Sequence, residues 1–226
     1  MGCSWVGVYA ILYIENWLSL PYKSSTHHFI SVVHMDIRMD IVNVVATTHL
    51  QRELDLDLLS IVLRDVGEVI YDAARFPGLV LKLENGVSYL VFRTGKIVIV
   101  GCRSEEHVNE AVRFLVKQIG KVVGGLPAKL AVQIQNIVIT ADLGYEIDLE
   151  TLSEKLKHSV YVPDEFPGLI YRSGIGPSAL VFSSGRIVVA GAMSIEAARV
   201  VVEEIHRLAS GESSGGIWGG EDEDMV

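Results

Sequence analysis

The chain repeats itself, and the length of the repeat limits the folds open to it more than any other feature. FPGL stands at Phe76–Leu79 and returns at Phe166–Leu169, ninety residues on. LVFRTGKIVIVG (Leu90–Gly101) returns at the same spacing as LVFSSGRIVVAG (Leu180–Gly191). Upstream, VNVVATTHLQRELDLDLL from Val42 matches QNIVITADLGYEIDLETL from Gln135, with Asn43 and Asn136 93 residues apart, so a three-residue insertion separates the two intervals. Solenoid repeats recur every ~20–50 residues. A period near ninety describes instead one unit used twice about a pseudo-twofold axis, the copies joined near GGLPAK (Gly124–Lys129). The expected organisation is an N-terminal extension over 1–39, a first unit over 40–124, a second over 125–210, and a tail over 211–226.

Both units carry the same order of signals. A β-branched run (Ile41 to Thr48; Ala131 to Ala141) leads into a helix starting near Asp55 or Asp148, where a carboxylate suits the positive helix end. In the first unit short strands follow around Val66 to Tyr71, Leu79 to Leu83, Val87 to Phe92 and Lys96 to Gly101, with ENG and RTG as turns. A second helix opens at Ser104 or Ser194, whose hydroxyl can cap it. Val108, Ala111, Val112, Leu115 and Ile119 recur at three- and four-residue spacing and predict one buried helix face.

Strand alternation sorts the side chains onto two faces. One set, Val42, Val44, Ala46, Tyr89, Val91, Ile97 and Ile99, with Ile137, Ile139, Val181, Ile187 and Val189 in the second unit, is an aliphatic layer for helices to cover. The other set contains Asn43, Val45, Thr47, Leu90, Phe92, Lys96, Val98 and Val100. Its counterparts are Asn136, Val138, Thr140, Leu180, Phe182, Arg186, Val188 and Ala190. Two helices per unit suffice for one face only, so the second set predicts an uncovered apolar surface of the kind that binds a partner. Bases at its rim and amides on its floor suit a nucleic-acid groove, where phosphates flank apolar sugars and base edges.

Composition narrows the classes further. Net charge is −9, but Glu212, Glu221, Asp222, Glu223 and Asp224 sit in a Gly/Ser-rich tail without a base, a segment expected to be disordered. Cys3 and Cys102 form neither a disulfide framework nor a zinc spacing, and His27–His28 lacks further ligands, so no metal site is expected. His49, His107, His158 and His206 are expected at the surface, and Cys102 as a small buried residue. The apolar N-terminus is broken by Glu15 and Asn16, which leaves no membrane span and no signal peptide; Met35 or Met39 is an alternative start. No nucleophile, base and orienting group share a spacing, so the chain is not expected to be an enzyme.

The paired N-[IV]-V, FPGL and VF-[RS]-[TS]-G-[KR]-[IV]-V motifs, in that order and twice, resemble the TATA-binding protein family of archaea and eukaryotes over about residues 40 to 209. Paired FPGL with an acidic tail looks like the archaeal type. The resemblance implies an α+β, pseudo-twofold saddle: ten antiparallel strands in one curved sheet, helices on the convex face, DNA on the concave face, and no cofactor. It implies binding and bending of double-stranded A·T-rich promoter DNA through the minor groove, for which this family is itself the standing example.

By the same resemblance, Phe76, Phe92, Phe166 and Phe182 are the intercalating wedges. Asn43 and Asn136 offer amide donors to A N3 and T O2 near the pseudo-dyad, where a guanine amino group would intrude. Val45, Val138, Thr47, Thr140, Leu90, Leu180, Val98 and Val188 form the floor. Lys82, Lys96, Arg103, Arg172 and Arg186 face phosphates, joined by Thr94 and Ser184. Asp164 and Glu165 before the second FPGL imply docking of the basic transcription factor B, with RNA polymerase recruited indirectly and the protein a monomer on DNA. The implied location is the archaeal cytoplasm, at the nucleoid, or the nucleus in a eukaryote. Four positions depart from the family: Val100 and Ala190 replace a groove-facing Thr, Met193 replaces a Lys, and Val162 replaces a common acid. A duplicated saddle whose apolar face takes protein or lipid is the rival reading, and an accessory domain of a hydrolase the third.

Overall fold

Two long strands, β1 (Arg38–His49) and β6 (Val132–Asp142), pair antiparallel at the centre of a ten-stranded sheet. The structure, a computed structural model, describes residues 37–211 apart from 128 and 175. The expectations for the extension before residue 37 and the tail beyond 211, with Cys3, His27, His28 and Met35, lie outside the described residues. The first unit adds α1 (Leu56–Val62), β2 (Glu68–Ile70), β3 (Gly78–Lys82), β4 (Ser88–Phe92), β5 (Lys96–Cys102) and α2 (Glu105–Val123). The second adds α3 (Leu149–Lys155), β7 (Ser159–Val160), β8 (Gly168–Arg172), β9 (Ser178–Phe182), β10 (Arg186–Ala192) and α4 (Ile195–Ser210).

Strand order is β2-β3-β4-β5-β1-β6-β10-β9-β8-β7, so the sheet reads the same from either edge by element type. Its centre has the matching symmetry: Asn43 lies opposite Val138, Val44 opposite Ile137, and Val45 opposite Asn136. The ten-stranded antiparallel sheet with four helices on one side is the fold that the family resemblance implies, built from two copies of one unit as the repeat predicts.

Local chemistry explains the helices. Asp55 Oδ1 accepts the Leu58 N–H at 3.0 Å, and Ser104 and Ser194 Oγ accept those of His107 and Ala197 at 3.0 and 3.1 Å. From α2, Val108, Ala111, Val112, Leu115 and Ile119 are buried, as their spacing predicts. With Ala198, Val201, Val202 and Ile205 from α4 they join one continuous core that includes Val44, Tyr89, Ile99, Ile139, Val181 and Val189. Burying a side chain of this size stabilises by roughly 1.5–3 kcal/mol, so the helices hold to this face of the sheet.

Three local expectations are corrected. β1 begins at Arg38, so residues 38 and 39 belong to the first unit's strand and not to the extension. Val42 does not face the helices with Val44: the register steps from Ile41↔Ile139 to Asn43↔Val138, so the bulge leaves Val42 unpaired with β6 and packs Ile41 against the core. One extra residue inverts the alternation on its far side. Of the four histidines expected at the surface, His49 and His158 are exposed, but His107 and His206 are half-buried, the latter with Nδ1 2.9 Å from the Tyr145 hydroxyl.

Asp148 caps α3 by accepting the Glu150 and Thr151 N–H groups at 3.0 and 3.2 Å. The Thr151 hydroxyl, its strongest partner, and these backbone donors hold the carboxyl below its ordinary range. A depressed folded-state pKa contributes stability that is complete above the unfolded pKa and lost as pH falls through the folded value. Asp148→Ala should therefore lower Tm at neutral pH and narrow that deficit as pH drops through the carboxylate range, read by thermal melts across pH.

Candidate nucleic-acid interface

The helix-free face is built from cross-strand rows. In the first half Ile70, Val80, Leu90, Val98 and Thr47 stand successively opposite one another on β2, β3, β4, β5 and β1. In the second half Val160, Ile170, Leu180, Val188 and Thr140 do the same on β7, β8, β9, β10 and β6. The floor residues expected from the sequence, Leu90, Val98, Leu180, Val188, Thr47 and Thr140, are all half-buried on this face. Sequence reasoning missed Ile70, Val80, Val160 and Ile170, of which Ile70, Val160 and Ile170 are 45%, 57% and 37% exposed. Alternation from Gly78 and Gly168 would have found Val80 and Ile170, but β2 and β7, which carry Ile70 and Val160, are too short for alternation to be read.

At the centre the face is closed rather than open. Val45 and Val138 are 8% exposed and Asn136 is 4%, yet none belongs to the core cluster, because each lies on the other side of the central strands. The two asparagines are fixed by a shared device. Opposite β1, β5 uses three residues for two as the register steps from Val44↔Cys102 to Ala46↔Ile99, and β10 bulges likewise against β6. Such a bulge takes N–H groups out of the ladder, and a buried donor needs an acceptor. Asn43 Oδ1 accepts the Gly101 N–H and Asn136 Oδ1 the Gly191 N–H, both at 2.8 Å. Only an oxygen can accept there, so each amide has its NH2 end left to donate. Both glycines hold a positive φ, 95° and 85°, which disfavours any side chain.

The aromatic pairs frame the face at both ends. The Phe76 and Phe92 ring centroids are 5.7 Å apart and those of Phe166 and Phe182 6.0 Å, each pair tilted by 61°. The turn preceding each FPGL is closed by the Phe76 and Phe166 N–H groups donating to the Asp72 and Val162 carbonyls at 3.0 Å. The glycine of FPGL belongs to a strand and not to the preceding turn. Gly78 and Gly168 open β3 and β8 directly opposite Phe92 and Phe182. A Cβ at Gly78 would lie 2.8 Å from Phe76 Cε1, and one at Gly168 the same distance from Phe166 Cε1. The glycines are seats for the rings, and the bare backbone lets both aromatics lean over it.

The expected rim residues Lys82, Thr94, Lys96, Arg103, Arg172, Ser184 and Arg186 are all exposed. They are not equivalent. Lys82 Nζ is 3.6 Å from the Glu68 carboxylate across the edge of the sheet, whereas Arg172 forms no ion pair among the described residues. The Thr94 hydroxyl accepts the Lys96 N–H at 3.4 Å, and the Arg103 N–H donates to His107 Nδ1 at 3.3 Å where α2 begins. The loops before the two FPGL motifs differ in sign. Arg75 pairs with Asp72 at 3.5 Å in the first, while Asp164 and Glu165 stand exposed in the second, beside a Val162 that is 42% exposed.

A duplicated α+β sheet with helices on one side, and on the other an apolar floor framed by aromatic pairs and bases, defines the class of saddle-shaped binding proteins. Residues 38–122 and 131–209 match the family described as transcription factor TFIID or TATA-binding protein. The chain belongs to that family, whose members are transcription factors and not enzymes. It is 41% identical over 166 residues to the TATA-box-binding protein of Pyrobaculum calidifontis, covering 73% of this chain and 82% of that one. To the TATA-box-binding protein of Archaeoglobus fulgidus it is 38% identical, covering 75% and 93%. The solved structure of Methanococcus jannaschii TBP superimposes with a TM-score of 0.70 at 32% identity, over 76% of this chain and 98% of that one.

Two stability measurements test this geometry. A Cβ at Gly101 would collide with the Gly86 carbonyl oxygen, while at Gly191 the nearest atom is 3.8 Å away. Gly101→Ala should therefore destabilise by about 1–3 kcal/mol and Gly191→Ala by less, in urea titrations. Phe166→Ala should cost about 0.5–1.5 kcal/mol, the worth of an edge-to-face pair, against about 3–5 for a Phe truncated inside a core.

Proposed function

We propose that this protein is a general initiation factor that binds the TATA element of promoters through the minor groove, bends it, and nucleates assembly with transcription factor B and RNA polymerase. The observation that carries the reading is the pair of matched Phe couples at opposite ends of one apolar face, with two pinned asparagines at its pseudo-dyad.

Each couple is a wedge. Phe76 with Phe92, and Phe166 with Phe182, enter beside a base step, and a flat ring replaces part of the stacking the step loses. Unstacking costs a few kcal/mol per step, offset when the widened groove meets the apolar floor. That floor is Val45, Thr47, Leu90 and Val98 with their counterparts Val138, Thr140, Leu180 and Val188. The free amide ends of Asn43 and Asn136 donate to A N3 and T O2, and a guanine amino group would oppose donor to donor.

Lys96, Arg186 and Arg172 contact phosphates, with Arg103, Thr94 and Ser184 beyond them. Lys82 contributes less than Arg172, because Glu68 already neutralises it. Asp164 and Glu165 form the acidic loop on which the basic transcription factor B docks, and the opposite loop repels no partner because Arg75 and Asp72 cancel. The protein acts as a monomer on DNA, at the archaeal nucleoid.

Fluorescence transfer between dyes on the ends of a TATA-like duplex tests the proposal. Titration should raise transfer on the A·T box and leave a G·C-substituted box unchanged; equal responses, or none, reject the reading. Phe166→Ala and Phe182→Ala should each abolish most of the bending at a small cost in Tm. A large loss of Tm with bending retained would return these rings to a packing role.

A further inference from the structure

We propose that residues 212–226 dock into a trough on the outer flank of the second unit, between α4 and the β8–β9 turn, as an intramolecular acidic ligand. The trough consists of two adjoining hollows of about 540 and 360 Å3 that share Tyr171, Gly174, Glu204 and Arg207. One carries Val200, 51% exposed, and the other is walled by Lys155, Lys157 and Leu208.

The lining of this hollow differs from the equivalent positions of the first unit. Ninety residues earlier, Leu81 and Phe114 stand where Tyr171 and Glu204 stand here, and Phe114 packs against the core. In the second unit the tyrosine hydroxyl donates to Glu204 Oε2 at 2.6 Å, which commits that carboxylate to a neutral partner. The other carboxylate of the trough, Glu203, lines the Val200 hollow only. Lys157 and Arg207 form no ion pair among the described residues, so the Leu208 end of the trough is left positive.

The occupant follows from where the chain goes. It leaves α4 at Gly211, in the left-handed region at φ 74°, three residues past Leu208. The next fifteen residues carry Glu212, Glu221, Asp222, Glu223 and Asp224, no Lys or Arg, and Ile217–Trp218 at their centre. At ~3.3–3.6 Å per extended residue, Trp218 can reach about 25 Å from Gly211, enough to lie across the trough. Attachment three residues away gives an effective concentration on the order of millimolar, so modest contacts suffice. Trp218 against Val200 and Leu208 supplies apolar burial, and the EDED run answers Lys155, Lys157 and Arg207.

Trp218 reports on this directly. The chain has three tryptophans, so Trp5→Phe with Trp17→Phe leaves Trp218 as the only one. Its emission should be blue-shifted, and acrylamide should quench it severalfold less efficiently than it quenches a free peptide of residues 212–226. Both signatures should vanish in a Lys157→Glu, Arg207→Glu variant with an unchanged Tm, and at about 1 M salt, where the Debye length is about 3 Å. If the double reversal unfolds the chain, Val200→Glu at an exposed site must abolish the same signals. Peptide-like emission in the full chain overturns the proposal, as does a blue shift that survives these substitutions. A shift that fades on dilution also overturns it, since the acidic segment would then be held by a second copy.

Discussion

The pairing of β1 with β6 is the constraint on which the rest of the structure depends. A single unit would end in a long, open strand with a row of unpaired backbone groups, a template for aggregation. Joining two units at these strands removes both long edges and leaves only β2 and β7 at the margins, three and two residues long. The junction also places the symmetry axis between Val44 and Ile137, so the strand order of one half recurs in the other. With helices on one side only, the opposite face of all ten strands is available as one surface.

That surface is organised by glycine as much as by the residues that line it. Gly101 and Gly191 allow the bulges that hand an N–H to each asparagine, and so orient the amides. Gly78 and Gly168 leave space for the aromatic couples. In both cases a missing side chain decides where a functional one points. The symmetry is not complete: Glu68 neutralises Lys82 in the first half, and in the second an exposed acidic loop stands where the first has the Asp72–Arg75 pair. A duplicated scaffold thus acquires direction through a handful of charges at its rim, and through the Tyr171–Glu204 pair, where the first unit has Leu81 and Phe114.

Much of this was legible from the residues. The ninety-residue repeat dictates two copies of one unit, because equal sequence gives equal local preference. Helix starts at Asp55, Ser104, Asp148 and Ser194 follow from short polar side chains before apolar periodicity. Alternation separates Tyr89, Val91, Ile97 and Ile99 from Leu90, Phe92 and Val98, because a pleat has a period of two. What alternation cannot show is a bulge, since one inserted residue leaves no mark on composition; hence the misplacement of Val42. Nor does it show coverage: Val45 and Val138 alternate outward, yet both are buried.

By itself, then, the sequence determined the duplication, the elements, the two faces and the identity of the residues on them, all of which rest on contacts between near neighbours in the chain. Only the tertiary structure decided that Gly78 lies beneath two rings, that Asn43 gives its oxygen to Gly101, that Lys82 meets Glu68, and that Tyr171 holds Glu204. Each of these joins residues from separate strands or helices, and such distances exist only once the sheet has set its register.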